Sequence, residues 1–337
     1  VKSRKIVFDA ILFCFLLCVV TAALFAPSEE QWLNLPLLFS AVAVFFALGA
    51  VISLLLKNLG IVTLGDILFK TSPVHAHDKA WYRRFWMWQL LISLAAALLV
   101  SLVKTEFSFF ELFNEDGFAG AIRLFKGLLD PNWDVLPRAV LNIIETIFMA
   151  FLATTLAIPV AFVLSFFCAK NIMKGPWTRS IYFVLRTLLN ITRSIEALIW
   201  AIIFSVWVGI GPFAGMLALM IHSVASLAKQ YSEMVEAAEE GPIEAIESTG
   251  ANKLQTIWYA IVPQVLLPYI SFTVYRWDIN VRMATIIGLV GGGGIGTMLV
   301  QYQGQAMWRE VGCIIVVIAV VVWALDQASA VIREALK

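Results

Sequence analysis

Charge is what this chain has least of. Asp, Glu, Lys and Arg make up 14% of its 337 residues, against about 25% in an ordinary soluble domain. The formal net charge of +1 gives no hint of nucleic acid or of an acidic partner. Cysteine is also scarce. Cys14, Cys18, Cys168 and Cys313 all lie in apolar runs and form no Cys-x-x-Cys pair, so packing is expected rather than disulfides or ligation. His75 and His77 make a His-x-His pair without further ligands, which reads as a solvated loop. No Gly-Lys dipeptide occurs, so the glycines at 291–294 and 296 have no phosphate-binding lysine beside them. His-Glu-x-x-His and Gly-x-Ser-x-Gly are missing as well. Nothing supports catalysis, a metal or a cofactor in this polypeptide.

What fills the chain is hydrocarbon. It is 61% hydrophobic, with a mean hydropathy of +0.87, the composition of an all-α integral membrane protein. Taking about 20 apolar residues per span, eight are expected: 6–26, 35–56, 87–103, 138–168, 181–209, 213–228, 264–290 and 312–332. The first could pass for a signal peptide, but its apolar run is too long and lacks a convincing cleavage site, so it is read as a retained span. Lys57, Lys70, Lys79, Arg83 and Arg84 place the second connection, and with it the N-terminus, in the cytoplasm, and a count of eight spans returns the C-terminus to the same side. The interruptions at Arg186, Arg193 and Glu196 point to a break in the fifth span, and Pro159 to a kink in the fourth. Phe118, Ile122, Phe125 and Leu129 line one face of a surface helix.

One polar passage stands out in the second half, 233–263. Its six glutamates, Glu233, Glu236, Glu239, Glu240, Glu244 and Glu247, bar it from the bilayer core. Pro242 is placed to open a short helix and Gly250 to break it. Leu254, Ile257, Trp258 and Ile261 then fall at i, i+3, i+4, i+7 on a second helix that Pro263 ends. The result is a helix–glycine–helix elbow in water, with an apolar stripe for a partner.

The next span carries the opposite anomaly. Arg276, Asp278 and Arg282 lie inside it, each costing roughly 2.5–3.5 kcal/mol near the bilayer centre unless it faces protein or water. Asp278 and Arg282 can pair at i, i+4, while Arg276 and Asn280 share the neighbouring face. Arg193, Glu196 and Glu145 are the candidates to meet the spare positive charge. Two readings stay open: an ion-pair network that fixes packing, or an electropositive stretch of a path for an anion.

The spacing Glu244-Ala245-Ile246, three residues, Gly250, nine residues, Ala260-Ile261-Val262-Pro263 resembles the EAA loop of ABC-importer permeases. Further stretches are similar to the phosphonate-type branch of that family: 130–133 (DPNW), 157–162 (AIPVAF), 209–215 (GIGPFAG), and 275–285 (YRWDINVRMAT) leading into 288–296 (GLVGGGGIG). The similarity covers roughly 84 to 337. Two departures stand against it. Residues 1 to about 60 add two spans. Arg193-Ser194-Ile195-Glu196 carries its acid one position early, about 100° around a helix.

The resemblance implies a type I ABC importer permease core at 87–337 with its coupling loop at 233–263, behind an extra helix pair at 1–60 and a cytoplasmic connection at 61–86. It implies a homodimer in the bacterial inner membrane, with an ATPase subunit dimer that binds ATP and Mg below and a phosphonate-binding protein above. Glu244, Ala245, Gly250, Leu254, Ile257, Trp258 and Pro263 would then form the ATPase coupler. Arg276, Asp278, Asn280, Arg282, Arg193, Glu196 and Glu145 would line the path or gate. The alternatives are a permease of the same type for another solute, such as an amino acid, and an ion-coupled transporter using Arg276, Asp278 and Glu145 as a relay.

Overall fold

The computed structural model describes residues 2–25, 35–69, 82 and 84–335, and every regular element among them is helical. Glu29, Glu30, Lys70, His75, His77, Lys79, Trp81 and Arg83 lie outside the described residues. Six helices are long and apolar enough to cross a membrane, and a seventh span results if one bent pair is taken as a single crossing. The expected eight also counted residues 6–26. Residues 6–25 of that span lie in a 24-residue helix, Lys2–Phe25, which is not among the six. Helices with greasy outer faces are the structures lipid permits, because each satisfies its own backbone hydrogen bonds.

The chain divides into two compact units at Asn114 and Glu115. In the first, α1 (Lys2–Phe25) packs on α2 (Leu35–Asn58), and Gly49 lets the backbones meet: a Cβ there would sit 2.6 Å from the Ala10 carbonyl oxygen. A five-residue helix, α3 (Leu64–Leu68), follows, then the long apolar α4 (Phe85–Lys104) and the short α5 (Phe109–Leu112). Between these helices lies a buried polar knot. Asp9, fully buried, accepts the Gly65 N–H at 3.0 Å, the Thr63 hydroxyl at 2.6 Å and the Ser53 hydroxyl at 3.3 Å. Lys5 pairs with Asp66, and Gln89 Oε1 accepts the Leu64 N–H at 2.9 Å. A carboxylate inside an apolar unit is tolerable only when its lone pairs are occupied in this way.

In the second unit, α6 (Glu115–Leu129) leads to α7 (Leu136–Phe167), a 32-residue helix with Pro159 in its interior. Two faces of α6 are separated by its pitch. Gly127 and Leu128 abut Trp308 and Gly312, while Phe118, Ile122, Phe125 and Leu129 stay exposed. A broken helix follows, α8 (Pro176–Ser194) and α9 (Ala197–Val208), bent by 90° at Ile195 and Glu196. Then come α10 (Pro212–Glu236), α11 (Glu240–Ser248), α12 (Lys253–Thr256), a π turn at Ile257–Ile261, α13 (Val262–Ile287), α14 (Gly294–Gly304) and α15 (Trp308–Ala335).

The centre of this unit is α7 against α10. Ala150, Ala153, Ala157 and Ala161 of α7 and Ala214, Gly215, Ala218, Ala225 and Ala228 of α10 are all buried. Small residues at helical spacing let backbones approach closely, which is how membrane helices gain contact without a hydrophobic driving force. Nearer the elbow, Tyr231 and Tyr269 stack at 3.8 Å between centroids, and Tyr269 donates to the Tyr231 carbonyl at 3.1 Å.

The glycine run packs instead of cradling a ligand. Gly293 has φ +78 and would place a Cβ 2.7 Å from Pro212; a Cβ on Gly215 would come within 2.5 Å of the Gly292 carbonyl oxygen. Gly211 donates its N–H to Gly291 at 2.9 Å. The 209–212 turn and the glycine loop are thus locked together by contacts only glycine allows.

Candidate functional site

The elbow is built by three successive caps. Glu239 occupies the N-cap position of α11, so Pro242 is its third residue and not its first. Gly250 has φ +80 with open space where a Cβ would stand, so its glycine serves the left-handed backbone and not close packing. Asn252 and Gln255 then cap α12 reciprocally, at 2.8 and 3.0 Å. Glu244, Ala245 and Glu247 point to solvent, while Ile243 and Ile246 are half-buried.

Beyond the cap, two expectations need correction. Pro263 does not end the helix. The Val262 N–H bonds the Ile257 carbonyl, five residues back, and this wide turn delivers Pro263 into the first turn of α13, where its missing N–H has no partner to lose. The apolar stripe also divides. Leu254 and Trp258 are 78% and 61% exposed, whereas Ile257 and Ile261 turn inward to the Tyr231 and Tyr269 core. The outward pair, with Tyr259 at 66%, is the open apolar surface of the elbow. Beside it a cavity of about 310 Å³ is walled by Asn171, Lys174, Glu240, Glu244, Glu247 and Lys253.

The charges of α13 are held by two different arrangements. Asp278, 2% exposed, pairs with Arg282, whose half-exposed side chain also lies 4.0 Å from Asp326 on α15. On the neighbouring face Arg276, 8% exposed, donates from Nε to the Ser223 hydroxyl at 3.2 Å. Asn280 donates to Ser223 and to Thr154, each at 2.8 Å. Its Oδ1 is buried without a partner among the described residues. Three helices, α7, α10 and α13, therefore meet in one polar cluster.

Glu196 occupies the N-cap position of α9 at the 90° break and is near enough to act electrostatically on Arg276 and on His222. His222 Nδ1 in turn lies 3.2 Å from the Ile195 carbonyl. Arg193 is exposed two residues before Ile195, and its charge acts on His222 in the opposite sense to that of Glu196. Ser223, Thr154 and His222 had no signal in the sequence beyond being single polar residues in apolar runs.

Glu145 belongs elsewhere. Its neighbour Thr146 receives the Ile295 N–H at 2.9 Å, beside the glycine loop. Thr154, the Asn280 partner, is eight residues further on, about 12 Å along the helix axis. Glu145 lines a separate cavity of about 360 Å³ with Arg138, Asn142, Gly211, Gln301 and Tyr302. It is therefore not the group that meets Arg276.

Among the described residues no group of three or more His, Cys, Asp or Glu is placed to hold a metal. The four cysteines carry free thiols.

The chain is 36% identical over 195 residues to the phosphite transport system permease protein PtxC of Stutzerimonas stutzeri, covering 58% of this chain and 70% of that one. It is 45% identical over 119 residues to the putative cryptic phosphonate transport system permease protein PhnE2 of Escherichia coli K12, covering 35% of this chain and 98% of that one. Among solved structures, an inward-facing form of the MetNI methionine ABC transporter shares the fold, with a TM-score of 0.53 at 21% identity over 61% of this chain and 99% of that one. Residues 161–336, more than half of the chain and inclusive of the elbow and the α13 charges, match the family of binding-protein-dependent transport system inner membrane components, and the chain belongs to that family.

Proposed function

We propose that this chain is the membrane-spanning subunit of an ABC importer that brings phosphonates, or phosphite and phosphate-like anions, into the cytoplasm. ATP is hydrolysed, with its Mg, in a separate subunit. The observation that carries the reading is the elbow. A short acidic helix, a left-handed glycine and an outward apolar pair at Leu254 and Trp258 form a surface left open among the described residues. Glu244, Ala245, Gly250, Leu254, Ile257, Trp258 and Pro263 form the coupler that seats on the ATPase.

Two copies of the chain would face one another, each over one ATPase, with a phosphonate-binding protein delivering cargo from outside. Both termini and the elbow then face the cytoplasm. The extra helix pair at 1–60 precedes the connection at 61–86 and the permease core from 87. Arg276, held by Ser223, presents a guanidinium suited to two oxygens of a tetrahedral anion. Asp278, Asn280, Arg282, Arg193 and Glu196 complete this stretch of the path, and Glu145 lies in the separate cavity beside the glycine loop. The relatives named as phosphite and phosphonate permeases support this cargo class.

The test is ATPase activity in vesicles that hold this chain, its ATP-binding subunit and the binding protein. Phosphonate, phosphite, phosphate and methionine are added in turn. Stimulation by the phosphorus oxyanions supports the reading. Stimulation by methionine alone replaces the cargo. Solute uptake without any ATP-binding subunit overturns the importer in favour of an ion-coupled transporter.

A further inference from the structure

The elbow hangs from a node that the coupling loop itself does not contain. Glu236 is the last residue of α10, three before the cap of α11. Its Oε1 accepts from Arg186 Nη1 at 2.7 Å and from the Lys170 backbone N–H at 3.0 Å. The same Arg186 nitrogen donates to the Cys168 carbonyl at 3.2 Å and lies 2.8 Å from the Tyr182 hydroxyl. Asn171 closes the arrangement by donating to the Val235 carbonyl at 2.7 Å.

Each of these bonds answers a local need. Cys168 is the C-terminal cap of α7, whose last carbonyls have no partner within the helix, and a guanidinium is a suitable donor there. Glu236 stands at the C-terminus of α10, where its charge opposes the helix dipole unless a cation offsets it. Arg186 satisfies both at once. It thereby fastens three helix segments, the ends of α7 and α10 and the middle of α8, at the point where the chain enters the elbow.

The arrangement is also partly buried and closely linked to the elbow. Arg186 and Glu236 side chains are each 22% exposed, so the pair is partly shielded from solvent. On the other flank, Gln264 of α13 accepts the Glu239 N–H at 2.9 Å. The residues between, 237–239, are the whole link between node and coupling helix. A displacement of α11 has no slack segment in which to dissipate.

We infer that Arg186 is a positioning residue for coupling: through Glu236 and the Cys168 carbonyl it passes movement of the elbow to α7 and α8, and not to α10 alone. This rests on the importer reading above. Arg186 touches neither cargo nor ATP. It sets how far the broken α8–α9 pair, whose bend places Glu196 near Arg276, follows the ATPase. A rigid element with charged fasteners at its joint is a physical route for such coupling.

The experiment uses the assembled complex with its binding protein in vesicles, and reads uptake of phosphite or phosphonate per ATP hydrolysed. Arg186→Met is expected to leave assembly and basal hydrolysis in place while uptake per ATP falls at least about threefold. Glu236→Gln, which preserves shape, is expected to act in the same direction. The exchange Arg186→Glu with Glu236→Arg is expected to recover part of the loss. A purely structural role would lower the amount of complex without altering uptake per ATP. Should Arg186→Met not assemble, Glu236→Gln decides. Normal uptake per ATP in an assembled Glu236→Gln complex overturns the inference while the importer reading stands. An unaltered complex that shows no cargo-stimulated hydrolysis overturns both.

Discussion

The Thr146 hydroxyl accepts the Ile295 N–H at 2.9 Å, and the same oxygen would lie 2.4 Å from a Cβ placed on Gly294. One side chain of α7 thus caps the start of α14 and at the same time demands glycine beside it. Gly294 also has φ +69, which costs a residue with a Cβ about 1–2 kcal/mol before any clash. Gly294→Val is expected to lower thermal stability in detergent clearly more than Thr146→Ser, which keeps the hydroxyl. Equal midpoints for the two variants would show that the loop has room to move.

Gly250 poses the opposite case. Its φ is +80, yet nothing stands within 4 Å of a Cβ there. Gly250→Val is expected to insert and assemble normally, because no packing is disturbed, but to misdirect α12 relative to α11. ATP hydrolysis then continues while uptake falls. Normal uptake by that variant would remove the elbow from the coupling role.

Leu254 and Trp258 are exposed while Ile257 and Ile261 are packed inside. Leu254→Asp with Trp258→Ala is expected to abolish co-purification of the ATP-binding subunit without a loss of thermal stability. Ile261→Ala, by contrast, removes buried atoms and is expected to cost about 2–4 kcal/mol. Denaturation curves separate the two outcomes.

Asp278 is almost wholly buried and Arg282 is its ion-pair partner. Arg282→Met leaves that carboxylate without its cation, which costs up to about 3–5 kcal/mol where a pair is fully buried and less here, since Arg282 is half exposed. Adding Asp278→Leu is expected to recover stability, because an apolar pair replaces a broken ionic one. If the double variant is also inactive in uptake, charge is needed for passage beyond packing. A single variant as stable and as active as the parent would deny the pair either role.

Within the first unit, a Cβ on Gly65 would meet both Asp9 carboxylate oxygens at 2.8 and 2.9 Å. Gly65→Ala is expected to open the polar knot and expose 2–69 to limited proteolysis. Unchanged cleavage would show that α3 shifts freely.

Much of this architecture is legible in the sequence because bilayers impose long apolar runs and polar interruptions betray themselves. The break at Ile195 and Glu196, the elbow around Gly250 and the Asp278–Arg282 pair all follow from local rules. What stayed hidden is whatever depends on a distant partner. Thr154 and Ser223 look like ordinary small polar residues, and only the crossing of α7, α10 and α13 joins them to Arg276 and Asn280. Glu145 appeared a candidate for the same group, but depth in the bilayer is not a sequence property that charge alone reveals. Pro263 misled because a proline is tolerated in the first turn of a helix, where its missing N–H has no partner to lose. The π turn places it there.

The polar cluster of α13 also dictates an order of synthesis. Arg276, Asp278 and Asn280 leave the ribosome after Thr154 and Ser223, whose hydroxyls receive the Arg276 and Asn280 donors. When α13 reaches the insertion machinery, its acceptors are already in the membrane, and a span too polar to rest alone in lipid enters beside them. A chain rearranged so that α13 came first would lack that receiving surface at the moment of insertion.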